Sequence, residues 1–489
     1  NNNIFINTIF SQNYVGSSGG GGLFSRNSKV TLESCTFDSN SAESGGAIYC
    51  GGKDINISNS LFYNNISINT PAIYAADENS GNYDFNIINC TISDNSYGGI
   101  QTYSSLSKLI NSIIYDNEND NIVGQFEIYN SIYNQSDPDP LFADTANSDY
   151  RLQDYSPLIG AGIDSVQIDG TWYFAPTTDI EGNPRPNPEG SNPDMGAYEN
   201  PLSNRIEINI YVSNNGNDFT GDGTIENPYQ NIQWAIDQAY TGDTIVVFPG
   251  EYDENITVDG KDLTILGDDE LNPKTINGQG IGDVINVNNA NYFILRDFVI
   301  TNGTDGIEIN NCSSVDLNNI SVSENSTNGI IVDESGYVIV DSVDVISNSV
   351  GIKILDSDSI SISYSVADSN DNEGVYISNT KGIITDNTIS DNGRGIRFDS
   401  NGSDDLILTR VRVEGNTLTN SNGAGLYIGS NNQNIDVTIT DCRFLSNNIN
   451  SGNYGAAIYS RSNSLSISGT RFKDNYTSSG GSALYIDGS

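Results

Sequence analysis

Short segments with alternating apolar and polar residues recur along the chain, and runs of Asn, Gly and Ser separate them. One such segment has the form Gly-apolar-x-apolar, as in Gly306-Ile307-Glu308-Ile309 and Gly374-Val375-Tyr376-Ile377. Because successive side chains of a strand point to opposite faces, this alternation predicts short strands with one buried face. The intervening residues are typical of turns, so each repeat is expected to hold two or three short strands.

A second recurring segment runs from a small residue through an apolar one to a closing Asn, as in Cys35-Thr36-Phe37-Asp38-Ser39-Asn40. The near-constant spacing of the closing Asn predicts stacked parallel coils, in which equivalent Asn side chains can hydrogen-bond along a column. The closing Asn falls at positions 13, 40, 65, 95 and 117, and then at 302, 325, 348, 370, 392, 420, 447 and 475.

Two other repeat architectures fit this pattern less well. Leucine-rich repeats have a similar period of about 20–29 residues and also carry an Asn. However, the apolar residues here are mostly Ile and Val, and no repeat contains a helix-like stretch. Antiparallel hairpins are disfavoured, because a single segment that recurs at a constant period implies that each strand stacks in parallel on the equivalent strand of the next repeat. The sequence therefore predicts an all-β, parallel β-helix.

Composition agrees with a solenoid and removes several functions. Apolar residues make up 36% of the 489 residues, which is enough for the thin core of a solenoid. The net charge of −43 solubilises a large surface or provides cation sites, and it excludes nucleic acid as a partner. The absence of His excludes Ser-His-Asp and Cys-His catalysis and His-ligated zinc. The cysteines form no CxxC pair and are expected to be buried fillers: Cys35, Cys50, Cys90, Cys312 and Cys442.

Two stretches carry a family resemblance. The residues from Ile210-Tyr211-Val212-Ser213 through Pro249-Gly250-Glu251-Tyr252 resemble the opening module of bacterial secreted or surface β-helix proteins of the pectate-lyase-like superfold. The resemblance implies a right-handed parallel β-helix whose open end is capped by an amphipathic helix. Ile232, Ala235, Ile236 and Ala239 fall on one helical face, as such a cap requires.

The proline-rich stretch from Asp139-Pro140-Leu141-Phe142 to Asp194-Met195-Gly196-Ala197-Tyr198-Glu199 resembles the closing module of similar proteins. We therefore expect two tandem β-helix units, with the capping helix at the start of the second. The predicted divisions are 1–138 for the C-terminal coils of a first β-helix, 139–200 for the closing module, 201–209 for a linker, 210–268 for the N-terminal cap and first coil of the second β-helix, and 269–489 for that β-helix, truncated at its end.

The x position of the Gly-apolar-x-apolar strands points outward, one residue per coil. The resulting column is rich in tyrosine, and sugar rings stack on aromatic faces while their hydroxyls bond to Asp, Asn and Arg. The alternative is that the tyrosines only stack on one another. The first unit offers Tyr49, Tyr74 and Gln101 at this position. The residues predicted to bind a ligand are Tyr376, Arg397, Tyr427, Tyr459 and Tyr485.

Catalysis on this face would need more than tyrosines. Lyases of the family use an Arg or Lys base and acidic calcium ligands, and the resemblance would give those roles to Lys353, Arg397, Asp333 and Asp399. These four are the only tight mixed cluster expected on this face, with Lys353 and Arg397 two coils, or roughly 10 Å, apart. Hydrolases of the polygalacturonase type would show clustered Asp residues and a His. The Asp-Pro-Asp-His signature of alginate epimerases is not met, because Asp137-Pro138-Asp139 is followed by Pro140.

The sequence therefore favours a non-catalytic extracellular or cell-surface scaffold or adhesin, exported by bacterial-type secretion as part of a larger repeat protein. Its expected partners are a polysaccharide or other glycan, or further copies of itself. The alternative is a polysaccharide lyase or glycoside hydrolase that acts on an acidic polysaccharide along the parallel sheet. No cofactor or metal ligand is assigned, although calcium binding stays open. No stretch predicts a membrane span.

Overall fold

The computed structural model describes residues 2–16, 19–76, 83–134, 136–268, 272–401, 404–430 and 435–487. The chain forms two compact units, Asn1–Ile206 and Glu207–Ser489. In each unit, short strands pair in parallel with the equivalent strands of the next coil. The predicted all-β, right-handed parallel β-helix is confirmed.

Three parallel sheets and a smaller one surround the core of the first unit. The six-stranded sheet consists of Asn2–Ile6, Lys29–Glu33, Ile55–Ser58, Asp84–Ile88, Leu106–Ile110 and Phe126–Tyr129. One five-stranded sheet consists of Leu23–Arg26, Ile48–Gly51, Ile73–Ala76, Ile100–Thr102 and Ile122–Val123. The other consists of Ile9–Ser11, Thr36–Asp38, Leu61–Tyr63, Thr91–Ser93 and Ile113–Tyr115. A two-stranded sheet is formed by Ser41–Ala42 and Ile66–Ser67.

The end of the first unit leaves the parallel pattern and forms two antiparallel pairs. The first pair joins Phe142–Asp144 to Asp149–Leu152 around a 3₁₀ turn at Thr145–Asn147, and the second joins Ser165–Ile168 to Thr171–Phe174. We call residues 139–200 the closing segment.

The closing segment runs along the side of the coils. A column of left-handed Asn residues marks one corner of successive coils, and their side-chain amides donate to carbonyls of this segment. The bonds join Asn59 to Thr178, Asn89 to Asp194, Asn111 to Ile163 and Asn130 to Ala161, at 2.8–3.0 Å.

Parallel strands also build the second unit. The nineteen-stranded sheet follows two sides of each coil and consists of Asn209–Val212, Thr244–Val247, Gly250–Tyr252, Leu263–Gly267, Lys274–Asn277, Tyr292–Thr301, Ser314–Ser323, Tyr337–Asp341, Asp344–Ile346, Ser359–Ser363, Val366–Asp368, Lys381–Thr385, Thr388–Ser390, Leu406–Thr409, Arg412–Glu414, Asp436–Thr440, Arg443–Leu445, Ser464–Ser468 and Arg471–Lys473. The ten-stranded sheet consists of Ile256–Asp259, Ile285–Asn288, Ile307–Asn310, Asn328–Asp333, Val350–Leu355, Glu373–Ser378, Arg394–Ser400, Leu426–Ser430, Ile458–Ser460 and Leu484–Ile486. A three-stranded sheet consists of Thr417–Leu418, Asn448–Ile449 and Tyr476–Thr477.

A short helix, Ile232–Gln238, covers the first coil of the second unit. Ile232, Ala235 and Ile236 are buried in the same core as the first strands, and so is Ala239, just past the helix end. The predicted capping helix is confirmed. It is the one α-helix of the described residues, and none of their helices is long and apolar enough to cross a membrane.

An Asn ladder stabilises the turns, as predicted, but two of the predicted positions are wrong. In the second unit the side-chain amide of each ladder Asn donates to the side-chain oxygen of the next, at 2.8–3.3 Å. Asn416 occupies the position expected for Asn420, because strand pairing at Arg412–Glu414 fixes the register. Gly303, rather than Asn302, begins the ladder through its amide bond to Asn325.

The ladder explains why the recurring Gly-apolar-x-apolar segment begins with glycine. A Cβ placed on Gly329 would lie 2.3 Å from Val345 and 2.9 Å from the side-chain nitrogen of Asn348. Gly395 has the same relation to Val413 and Asn416. The glycine therefore makes room for the ladder of the next coil.

All five cysteines are buried and free. The predicted role as fillers is confirmed, since Cys35, Cys90 and Cys312 each continue a column in which the next coil supplies a serine. The backbone amide of each cysteine donates a hydrogen bond to the hydroxyl oxygen of this serine, at 3.0–3.1 Å.

Candidate functional site

The ten-stranded sheet of the second unit brings the predicted outward column into one line. Strand pairing places each residue directly beside the next, in the order Glu308, Ile331, Lys353, Tyr376, Arg397, Tyr427, Tyr459 and Tyr485. The alternation of the Gly-apolar-x-apolar segment sufficed for this alignment, because from Ile307 to Ile428 the residues on either side of x are buried in the core.

A pocket of about 320 Å³ opens in the middle of this column. Its aromatic and charged lining comes from Tyr376, Arg397, Tyr427, Asp399 and Arg461. The remaining lining residues are small or polar: Ser378, Ser400, Asn401 and Gly429. Four of the predicted residues therefore meet at one concave surface, namely Tyr376, Arg397, Tyr427 and Asp399. The sequence pattern missed Arg461, which lies two residues after Tyr459.

Arg397 is held in place on three sides. Its Nε donates to Asp399 at 2.7 Å, its Nη1 lies 3.7 Å from Glu373, and its guanidinium lies 4.5 Å from the ring centre of Tyr376. Burial alone would lower the pKa of Arg397, but Asp399, Tyr376 and Glu373 outweigh burial and raise it. The group therefore stays protonated, which suits an electrostatic or hydrogen-bonding contact and opposes a role as a base.

Arg394 supports the pocket from below. It is buried, and its Nη1 bonds to Glu373 at 2.8 Å while its Nη2 bonds to Ser421 at 2.8 Å. Its guanidinium also lies 5.2 Å from the ring centre of Tyr427. Burial lowers the pKa of Arg394 despite the neighbouring Glu373 carboxylate. Arg394 thus fixes Glu373 and the ring of Tyr427.

The tyrosines beyond the pocket stack on one another. The rings of Tyr427 and Tyr459 are 5.4 Å apart and 3° from parallel, and those of Tyr459 and Tyr485 are 5.5 Å apart and 6° from parallel. Tyr459 is only 2% exposed, and its hydroxyl donates to Asp487. Burial and this carboxylate raise the pKa of Tyr459 to about 12. With both faces covered, Tyr459 cannot offer a stacking surface to a sugar while the stack is intact.

The four residues considered for a lyase do not form one tight cluster. Arg397 and Asp399 are paired, but Lys353 lies two strands away, at roughly 10 Å. Asp333 is separated from Asp399 by the strands that carry Leu355 and Ser378, which puts it at roughly 14 Å. The separation of Lys353 and Arg397 agrees with the predicted two coils, but Asp333 lies too far from Asp399 for the four residues to act as one cluster.

The first unit has an aromatic column of its own. Strand pairing aligns Phe24, Tyr49, Tyr74 and Gln101 on one five-stranded sheet. Phe24 and Tyr49 are stacked at 4.9 Å, and Arg26 lies 5.5 Å from the Phe24 ring. The sequence pattern identified Tyr49, Tyr74 and Gln101 but missed Phe24, because Ser25 replaces the second apolar residue of the segment.

Three carboxylates near the start of the ten-stranded sheet could hold a metal ion. Asp283, Asp305 and Glu308 each offer an oxygen within 4.8 Å of the others. Asp305 already accepts two bonds from Asn328, and Glu308 accepts one from Asn286. Burial, followed by the bond to Asp283, raises the pKa of Glu308, so a shared proton can also relieve the repulsion. Carboxylate oxygens suit calcium, and this group is where the open calcium expectation would apply.

Comparison with known proteins identifies the repeat. Residues 274–410 match the family model described as "Right handed beta helix region". No curated protein sequence matches the chain. Solved structures with some likeness include the pectate lyase Pel9A, which is 16% identical, covers 56% of this chain and 79% of its own, and gives a TM-score of 0.34.

Two further solved structures are similar to a comparable degree. The GH136 lacto-N-biosidase from Eubacterium ramulus is 10% identical over 57% of this chain and 68% of its own, with a TM-score of 0.27. The PL6 family alginate lyase AlyGC is 12% identical over 99% of this chain and 69% of its own, with a TM-score of 0.28. At these TM-scores the likenesses carry no argument about activity. The chain is a right-handed parallel β-helix protein, and residues 274–410 are the segment that the family model matches.

Proposed function

We propose that this protein is a non-catalytic scaffold of the cell surface or extracellular space, and that it binds glycans in the pocket around Arg397. The observation that carries the proposal is the pocket itself. It combines two arginines, an ion-paired carboxylate and two tyrosine edges with Ser378, Ser400 and Asn401. Such a set offers many donors and acceptors to a hydroxyl-rich ligand and little apolar surface to any other small molecule.

The stacked tyrosines extend this surface rather than form separate sites. Tyr427 forms one wall of the pocket, and Tyr459 and Tyr485 continue the stack along the next strands. A ligand that leaves the pocket along the column would meet the partly exposed rings of Tyr427 and Tyr485, which are two strand spacings or roughly 10 Å apart, because Tyr459 between them is buried. A repeating chain suits this surface better than a compact molecule does.

Two features support binding without catalysis. Arg397 is engaged by Asp399 and Glu373, and its raised pKa keeps it charged. Lys353, the other basic residue considered for a lyase, lies about two strand spacings from it. A general base must reach the proton that it removes, and the two cations are too far apart to act on one sugar carbon together.

Titration calorimetry with acidic and neutral polysaccharides, with and without calcium, tests the binding site. Arg397→Ala is expected to weaken binding of acidic polysaccharides about tenfold or more, because it removes a guanidinium that can form charge-assisted hydrogen bonds with the ligand. Arg410→Ala is the matched control, since Arg410 also pairs with an aspartate, Asp386, but lies in the bend between the strands Leu406–Thr409 and Arg412–Glu414, away from the ten-stranded sheet. Equal affinity of the wild type and of Arg397→Ala for the acidic polysaccharides would contradict the proposed site.

A further inference from the structure

The antiparallel hairpin of the closing segment carries an exposed pair of aromatic rings. Trp172 is 54% exposed and Phe174 is 64% exposed. They point to the same side because they are two residues apart on one strand, and their ring centres are 6.2 Å apart at 27°. Gln167 lies directly opposite Trp172 and therefore shares that side. We call Trp172, Phe174 and Gln167 the hairpin platform.

The other side of the hairpin holds the platform in place. Ile168 is only 5% exposed. The ammonium group of Lys108, on the six-stranded sheet of the first unit, lies 5.5 Å from the ring centre of Tyr173. The turn at Asp169 and Gly170 adopts the left-handed conformation at both positions, as a tight hairpin turn requires. The two exposed rings are thus preset on an anchored hairpin.

Charge limits what this platform can accept. The charged residues of the hairpin and its turn are Asp164 and Asp169, both acidic and exposed, and Lys108 lies on the opposite side. The hairpin itself would present an anionic ligand with acidic side chains alone, and a second copy of the chain would bring the same acidic residues against them. A neutral pyranose meets neither penalty, because its C–H face can lie on an aromatic ring while its hydroxyls bond to the amide of Gln167.

We propose that the hairpin platform is a second carbohydrate site, selective for neutral glycans, in the first unit. The site is independent of the pocket around Arg397, which offers arginines where the platform offers none. One protein would then hold two glycan contacts of different charge preference. Each contact lies within its own unit.

Titration with neutral glucan and xylan oligosaccharides tests the platform, read by calorimetry and by tryptophan fluorescence. Trp172→Ala is expected to weaken binding about tenfold, because it removes the larger stacking surface. Trp172→Phe is expected to restore most of the affinity. The chain has only two tryptophans, so the Trp234→Phe background assigns any fluorescence change to Trp172.

Further variants separate a lost contact from a lost fold. Phe174→Ala should weaken binding as well, and thermal melting of both alanine variants should match the wild type. Tyr337→Ala removes an exposed aromatic residue, 68% exposed, from the second unit and should leave neutral-glycan binding unchanged. Unchanged affinity in both Trp172→Ala and Phe174→Ala would overturn the proposal. So would self-association of the wild type that Trp172→Ala abolishes without any sugar binding.

The two proposed sites can fail separately. Arg397→Ala should leave binding of neutral oligosaccharides by the hairpin platform intact. Loss of that binding in Arg397→Ala would show that the neutral glycan occupies the other pocket and would overturn the platform.

Discussion

Single asparagine side chains link the coils of this protein. Asn416 is fully buried and accepts bonds from the backbone and side-chain amides of Asn392. It donates in turn to Asn447 and to the carbonyl of Ile389. A buried amide in such a chain cannot be removed without leaving its partners unpaired, which costs more than the bond itself contributes.

We expect Asn416→Ala to lower the free energy of unfolding by about 2–4 kcal/mol, because two donors of Asn392 lose their acceptor. Asn420→Gly is the matched control. Asn420 is exposed and left-handed, and glycine adopts that conformation without strain, so the change should stay within about 0.5 kcal/mol. Chemical denaturation of the two variants measures the difference, and a cost at Asn420 equal to that at Asn416 would contradict the observed register.

The sequence predicted the Asn ladder as a feature, but not every residue in it. Asn416 and Asn420 both lie in turn-like sequence, and composition does not distinguish them. The pairing of Arg412–Glu414 with Arg443–Leu445 does, since it places Asn416 beside Asn447. The sequence also did not decide whether the tyrosines stack on one another or on a sugar. A position in the outward column does not reveal whether a ring faces solvent or a neighbouring ring.

At the scale of elements, the closing segment is the part whose position the sequence could not give. Its resemblance to the closing module of similar β-helix proteins, together with its prolines, indicated that the coils end here. Its contacts with Asn59 and Asn89 depend on tertiary packing between residues more than a hundred positions apart in the chain, and its contact with Asn111 spans 52. The hairpin inside it was predictable in retrospect, because Asp169-Gly170 between strand-like residues is a strong hairpin signal.

A buried acidic network fixes the closing segment. The ion pair between Arg185 and Glu199, at 2.7 Å, is fully buried, and Asp194 is buried beside it. Asp194 accepts bonds from the backbone amides of Gly160 and Asn200. Burial and the neighbouring Glu199 nevertheless raise its pKa to about 7. Burial also raises the pKa of Glu199, against the effect of Arg185.

These shifts predict that the first unit loses stability as pH rises. Between pH 3.8 and about 7 folded Asp194 keeps a proton that the unfolded chain has lost. The contribution of Asp194 to the free energy of unfolding is complete below pH 3.8 and is lost as the pH rises to about 7. The loss is on the order of 4 kcal/mol at most. Asp194→Asn should flatten the dependence of unfolding free energy on pH. The smaller contribution of Glu199 to that dependence should remain.

Thermal melting between pH 4 and 8 checks this expectation. Asp169→Asn, at the exposed hairpin turn, is the control and should keep the slope of the wild type. A first unit that becomes more stable as pH rises through this window, or an unchanged slope in Asp194→Asn, would contradict the assigned burial.

At the scale of the whole molecule, a thin apolar core carries a strongly acidic surface. The chain has 63 acidic and 20 basic residues. Like charges on successive coils repel one another, which opposes compact stacking and keeps the protein soluble. The fold class followed from the sequence because one pattern repeats in every coil, so errors at single positions did not change the architecture.

Salt should therefore stabilise both units. Raising the ionic strength to about 1 M shortens the screening length to about 3 Å and weakens the repulsion between exposed carboxylates. We expect the melting temperature to rise with sodium chloride, and the surface pair of Arg410 and Asp386 to offset little of that gain. A melting temperature that falls steadily with salt would show that surface ion pairs dominate over repulsion.

The central claim is that the pocket around Arg397 binds glycans without cutting them. The most direct test incubates the protein with the polysaccharide that binds best and follows chain length by size-exclusion chromatography, together with reducing ends and unsaturated products. We expect the chain length to stay unchanged while binding persists. Shortening of the polysaccharide that disappears in Arg397→Ala or Lys353→Ala would contradict it and make this face the active site of a lyase or hydrolase.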